Sequence, residues 1–329
     1  MKLTSVLKTL LASVSLLVAH SLFAQTAQTF PNKPINMIVA FPAGGASDFV
    51  ARVMSKEMQT NLGQPIIVDN VVGVAGSLGV LKAANATPDG YTLISGSPLE
   101  LILTPLGLSA AKNKPEDVRM LAVAGRSDLM LAVRKDFPAA TTEQFLAALK
   151  ADPKGLSYGS TGIGSLYHLM GAKMIQIAGA KGLHVPFNGL APLLQALGGG
   201  QIDFAFLPIA GPVPGYVESG NVQAIAVASN ERSPRLPKLP LMTSVRGFHD
   251  FTFGIWAGIQ TGAKVPDATA AILHKSAYAA LANPEVKKQL EASGFYTLAP
   301  MSLVQLNAFY SKETAMYRAI AKSINLEAQ

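Results

Sequence analysis

An α/β fold in two domains, with mostly parallel sheets flanked by helices, is predicted by three observations. Strand-like apolar runs alternate with short amphipathic helices along the chain. The first strand-to-helix junction, AFPAGGASD, has a counterpart of the same kind far downstream in YGSTGIGS. The length, 329 residues, exceeds one domain of ordinary size and fits two, each able to bury its own core.

Each element has its own warrant. In NKPINMIVAFPAGGASDFVARVMSKEMQTNLGQPIIVDNV a strand over Ile35 to Phe41 passes through a Gly-rich turn into a helix. Ser47 or Asp48 caps that helix, and Phe49, Val50, Val53 and Met54 fall on one face. Leu-Gly-Gln-Pro stops it, and a second strand follows from Ile66 to Asp69. VVGVAGSLGVLKAANATPDGYTLISGS repeats the pattern with a helix from Ser77 to Ala86, a Pro-Asp-Gly turn and a strand from Tyr91 to Ser95. A second unit opens at MLAVAGRSDLMLAVRKD and runs through a helix at Thr142 to Lys150, a strand at Leu156 to Ser160 and a helix at Leu166 to Ala178. GLHVPF, QIDFAFLP and VQAIAVAS are further strands, with a helix from Ala191 to Leu197 among them. After the Pro-rich SPRLPKLP come the strand FTFGIWAGIQ and helices from Ala268 onward. The chain therefore divides into 28–125 and 233–329 as one domain and 126–232 as the other, with crossings that leave a cleft between them.

Residues 1–24 are set apart. Lys2 and Lys8 precede an apolar stretch from Leu10 to Phe23 and then Ala24-Gln25, the layout of a secretory signal peptide cut between 24 and 27. The apolar run is too short to span a bilayer comfortably, and no other stretch approaches the roughly 20 apolar residues a span requires. Export of a chain without a single cysteine suits the bacterial periplasm, and it rules out disulfides, thiolate metal sites and cysteine nucleophiles. The formal charge of +7 falls to +5 when Lys2 and Lys8 leave. With no basic run or aromatic-interleaved Arg cluster, this favours an anionic ligand over nucleic acid.

AFPAGGASD and YGSTGIGS each place free backbone N–H groups and the positive end of a helix at the carboxyl edge of a sheet, where open α/β folds bind ligands. Two readings stand side by side. The glycines make tight turns while Ser47, Asp48 and Ser165 cap helices, or the two loops form a pincer for a carboxylate. Their recurrence in one topological position favours binding. Neither loop carries the Gly-Lys-Ser/Thr of a phosphate loop or the Gly-x-Gly-x-x-Gly of a dinucleotide fold, so no nucleotide and no other cofactor is expected.

Ser165 and His168, one helical turn apart, raise the alternative of an exported Ser/His hydrolase, but the Gly-x-Ser-x-Gly elbow is absent. His168, His184, His249 and His274 are scattered without metal-ligand spacing. Asp203, in GGGQIDFAF, either caps a strand edge or faces a cleft; Glu100, in SGSPLELIL, poses the same choice. Trp256 and Phe41 pack the core or wall a cleft.

Taken together, FPNKPINMIVAFPAGGASDFVAR, LGQPIIVDNVVGVAGSLG, ATPDGYTL, LSYGSTGIGSLYHLMG, HVPFNG and GGGQIDFAF resemble, in order and spacing, the Bug (TctC-type) family of extracytoplasmic solute receptors. The resemblance covers essentially all of the chain after the signal. It implies a two-domain, type II periplasmic binding protein of the Venus-flytrap kind, with its ligand between the domains and without catalysis; the expectation is a monomer that captures a small aliphatic or aromatic carboxylate for a membrane transporter or a sensor partner. Carried over residue by residue, it assigns the ligand to Pro42, Ala43, Gly44, Gly45 and Ser47 on one side and Ser160, Thr161, Gly162, Gly164 and Ser165 on the other, with His168 and Asp203 beside them; Ser97 and Glu100 are added as candidates from the residues alone. The chain departs from the family in GSPLELILTP, with Pro98, Leu99 and Glu100 where small hydroxyl residues are common and Thr104 in place of an asparagine, and in Gln260-Thr261. The distal half of the pocket is thus rebuilt. If Glu100 faces the cleft, an amino acid or pyridine carboxylate is favoured; Arg126, if it faces the cleft, pulls the other way.

Overall fold

The structure is a computed structural model that describes residues 30–326, apart from 45 and 188. The signal segment 1–24 lies outside the described residues, as does Gly45.

β1 (Ile35–Val39) is buried at every position but Asn36. It leads into α1 (Ala46–Leu62), which is held to the sheet by Val50, Met54 and Met58, spaced four apart and fully buried. Gly63, in the left-handed region at φ 65°, ends the helix at the Leu-Gly-Gln-Pro stop. β2 (Ile66–Asn70), α2 (Ser77–Ala84) and β3 (Thr92–Gly96) complete a βαβαβ unit in which β1 pairs in parallel with both β2 and β3. After β3, Leu99–Leu103 forms a single wide turn of π-helix that runs into the short α3 (Thr104–Gly107).

β4 (Val118–Arg134) then runs for 17 residues and changes partners part-way. Its residues up to Asp128 pair antiparallel with β9 (Gly254–Gly262), and from Leu129 onward they pair with β7 (Phe204–Pro208) and β8 (Val222–Val227). Between them come α4 (Thr142–Ala151), β5 (Leu156–Ser160), α5 (Leu166–Ala178), β6 (Gly182–Pro186), α6 (Leu190–Gly198) and, between β7 and β8, α7 (Val213–Glu218). β5 is parallel to β6 and β7. The strand order β2-β1-β3-β9-β4-β7-β5-β6, with β8 also on β4, is therefore two mixed sheets sharing one long strand. The parallel pairings lie inside the βαβ units, and the antiparallel ones belong to β4 and β9, the strands that arrive from the other sheet.

The return crossing runs from β8 through Ala228, whose carbonyl accepts from the Phe253 amide. α8 (Asp267–Ala282) and α9 (Pro284–Ala292) pack on α1, and α10 (Leu303–Ser323) packs along β4 before its last carbonyls reach Gln176 of α5. One apolar core covers a face of both sheets, with Ile38 and Ile94 on one side and Leu131, Phe204 and Phe206 on the other. Trp256 belongs to this core at 1% exposure, its indole N–H donating to Glu313 at 3.1 Å.

Candidate functional site

The carboxyl ends of β1, β3, β5 and β6 point at one another across a cavity of about 470 Å³. From the first sheet come Phe41, Ala75, Leu99, Leu103, Thr104 and the Gly107-Leu108 pair; from the second come Thr161, Ile163, Gly164, Ser165, Tyr167 and the Gly189-Leu190 pair. The halves meet at Gly107 and Gly164. A Cβ on Gly164 would lie 2.6 Å from the Gly107 Cα, and one on Gly107 would lie 2.7 Å from the Gly164 Cα, so neither position tolerates a side chain in this arrangement.

The loop after β5 is built from its own hydrogen bonds. Gly162 and Gly164 hold φ of 129° and 77°, conformations that favour glycine. The Ser160 hydroxyl donates to the Gly162 carbonyl at 2.8 Å and accepts from the Gly162 amide. Its one proton being so used, the 2.7 Å contact with His184 is an Nε2–H donated by the ring. His184 stacks on His168 with centroids 3.9 Å apart, and the His168 Nδ1 accepts from the Gly164 amide at 3.0 Å. Burial lowers the pKa of both rings, that of His184 to about 4 with the neighbouring His168 adding to the effect, so both are neutral at neutral pH, as the acceptor role of His168 Nδ1 requires for its ring. Ser165 caps α5, its Oγ accepting from the His168 amide.

Two helix N-termini therefore face the cavity. In α5 the amides of Leu166 and Tyr167, and in α6 those of Leu190 and Ala191, occupy first-turn positions that have no partner within a helix. No acidic residue stands in either first turn, and Gly189 gives α6 no side-chain cap. The cavity thus offers the positive ends of two helix dipoles to an anion.

Of the residues singled out in the sequence, Thr161, Gly164 and Ser165 line the cavity, and Ser160, Gly162 and His168 form the scaffold behind them. The loop after β1 is arranged differently. Pro42, Ala43 and Gly44 are exposed and, among the described residues of the loop, Phe41 alone reaches the cavity, while Ser47 is buried with its carbonyl accepting from Ser95 Oγ. The Gly44 amide is spent on Asp48 Oδ2, and Asp48 also receives Arg52 through both oxygens and Asn70. Arg52 chiefly holds the Asp48 carboxyl at about 2.

Glu100 and Asp203 lie away from the cavity. Glu100 has no exposed surface; its carboxyl accepts from the Ser97 amide at 2.7 Å and the Ser97 hydroxyl at 2.6 Å, and burial raises it to about 7. Ser97 is spent in the same turn. Asp203 sits at the other end of β5 and β7, accepting from Ser157 and pairing with Arg134 at 3.2 Å, a lock between strand starts. Arg126 stands in β4 against Gly254 and the Tyr296 bridge. His184, Tyr167, Gly107 and the Gly189-Leu190 junction carried no role in the sequence reading. HVPFNG, a third strand-to-helix junction of the same kind as the other two, is the signal that pointed to the last of these.

Ser165 Oγ meets the His168 amide and not its ring, and Ser160 is fully buried, so neither serine is an accessible nucleophile paired with a base. Among the described residues no group of three His, Asp or Glu is arranged to hold a metal ion, and no helix is long and apolar enough to cross a membrane.

The model of the tripartite tricarboxylate transporter family receptor matches residues 50–326. The chain belongs to this family. Its relatives include the protein BugT of Bordetella pertussis, 30% identical over 297 residues that make up 87% of this chain and 88% of BugT. Among solved structures, MatC from Rhodopseudomonas palustris with bound malate is 28% identical, with a TM-score of 0.75 over 89% of this chain and all of that one. The periplasmic binding protein BugD is likewise 28% identical, with a TM-score of 0.75 over 91% of this chain and all of its own. The two-domain binding-protein fold is thus shared, and the receptor is a solute-binding protein, not an enzyme.

Proposed function

We propose that the receptor is exported to the periplasm and captures a small carboxylate between its two sheets, presenting it to a membrane transporter or a sensing partner. The observation that carries the reading is the convergence of the α5 and α6 N-termini on one cavity. Their first-turn amides, without a partner among the described residues, replace the water around a carboxylate, with Thr161 and Ser165 beside them. The similar protein MatC, solved with bound malate, supports a carboxylate as the ligand class.

The two lobes are 28–125 with 233–329, and 126–232. They close about the crossing strands, where β4 changes partners between Asp128 and Leu129 and where Ala228 and Phe253 return. Ligand favours the closed form because only there do both halves contact it. The signal-like segment and the family support export.

The test is a thermal-shift screen of the chain from residue 28 against mono-, di- and tricarboxylates. A ligand at 100 times its dissociation constant stabilises the native state by about 2.7 kcal/mol, a melting shift of several degrees. Ser165→Ala removes a helix cap worth ~1 kcal/mol and weakens that ligand by about fivefold, a comparable free energy. A complete panel without a shift defeats the reading.

A further inference from the structure

The cavity has a second end, and its chemistry is one-sided. Across from the helix N-termini, on the first sheet's side, stand Phe41, Leu99, Leu103 and Leu108, while Ile163 and Tyr167 add apolar surface beside the α5 N-terminus. Among the described residues no Lys, Arg, His, Asp or Glu lines the cavity. The charged groups nearest in sequence are accounted for: Glu100 turns inward to Ser97, His168 stands behind Gly164, and Arg126 belongs to the strand crossing. Thr104 donates its hydroxyl to the Ala75 carbonyl. The Tyr167 phenol is held neutral by its burial, which raises its pKa.

A charge placed among those side chains has no counter-ion and loses its water. Isolated buried charges are the costliest groups a protein can be asked to hold, and sites that must hold them supply partners. An apolar body there gains instead, in proportion to the area it removes from water. From this asymmetry we infer that the receptor's ligand is a monocarboxylate with an uncharged, apolar aliphatic or aromatic body, its single carboxylate at the α5 and α6 N-termini and its body among Leu99, Leu103 and Leu108. The inference rests on the carboxylate-receptor reading and narrows it. Dicarboxylates and amino acids, whose far charge would fall at the apolar end, are disfavoured.

The experiment compares ligands matched in length and differing only at the far end. Hexanoate, adipate and 6-aminohexanoate form one set, and benzoate and terephthalate another. Each is titrated calorimetrically into the chain from residue 28, with octanoate and phenylacetate widening the monocarboxylate arm. The expected result is that a monocarboxylate binds at least tenfold tighter than its doubly charged or zwitterionic partner. In Leu99→Arg, a cation at the apolar end should narrow or reverse the hexanoate-to-adipate ratio while the fold, followed by circular dichroism, is kept. Adipate or terephthalate binding as tightly as its monocarboxylate partner overturns the inference and leaves the receptor reading standing. Binding by none of the seven, and by no other carboxylate in the thermal screen, overturns both.

Discussion

The loops after β1 and β5 look alike in sequence and occupy equivalent places in their sheets, yet they have opposite electrostatic fates. In the first, Asp48 sits in the opening turn of α1 and takes the Gly44 amide, Arg52 and Asn70, so the anion site of that helix is filled by the protein's own carboxylate. In the second, no carboxylate stands in the first turn of α5, and the loop is rigidified by neutral groups, two histidines and Ser160. A Gly-rich strand-to-helix junction is therefore a latent anion site. What decides its use is whether an acidic side chain of the chain has already claimed it.

The sharpest break of this comparison is a pair of glycine substitutions. Gly44 and Gly164 both hold positive φ, 86° and 77°, so alanine costs each about 1–2 kcal/mol of backbone strain. A Cβ on Gly44 would meet nothing within 4 Å among the described residues, whereas at Gly164 the new Cβ meets the Gly107 backbone across the cavity. Gly164→Ala should therefore keep the lobes apart and weaken ligand on the order of 100-fold, the equivalent of roughly 2–3 kcal/mol, while Gly44→Ala lowers the melting temperature with affinity unchanged. Calorimetric titration of the two variants beside their unfolding curves distinguishes them; equal losses of affinity would mean that both loops grip the ligand.

A smaller effect, confined to stability, is expected at Asp48. Asp48→Asn removes charge-assisted hydrogen bonds from a buried carboxylate and should cost about 1–3 kcal/mol in urea unfolding at pH 7, with affinity kept within about twofold. The sign with pH follows from its lowered pKa. The stabilisation is present above the ordinary carboxylate value near 3.8 and is lost as the pH falls through about 2, so wild type and variant should converge in acid.

The alternation of elements, the stop at Gly63 and the capping role of Ser165 were legible because each depends on residues adjacent in the chain. So was the loop at Thr161 to Ser165, whose glycines and hydroxyls make a turn whatever surrounds it and of which Thr161, Ile163, Gly164 and Ser165 line the cavity. His184 escaped because its meaning comes from stacking on His168, a contact between neighbouring β-α units that no spacing reveals. Gly107 escaped for the same reason, since its partner Gly164 lies on the other sheet. Asp203 misled in the other direction. A carboxylate in an apolar strand run suggests a cleft, but only the pairing of β5 with β7 shows that it lies at the strand starts with Ser157 and Arg134.

Glu100 is where the smallest effect on affinity is expected, and the sequence left open whether it faces the cleft. Its carboxyl is enclosed and answered within its own turn by Ser97. Glu100→Gln preserves that geometry, with the amide oxygen accepting from the Ser97 N–H and the amide nitrogen donating to the Ser97 hydroxyl, so affinity for any carboxylate should be unchanged. Stability should respond instead. Burial raises the wild-type group from 4.5 to about 7, so its proton is retained in the folded state; the stability tied to that proton is fully present below 4.5 and is lost as the pH rises through about 7. The glutamine variant should lack that decline and should equal or exceed wild type in melting temperature at pH 8. A variant that instead changed ligand preference would place Glu100 at the cavity and return amino acids and pyridine carboxylates to the ligand class.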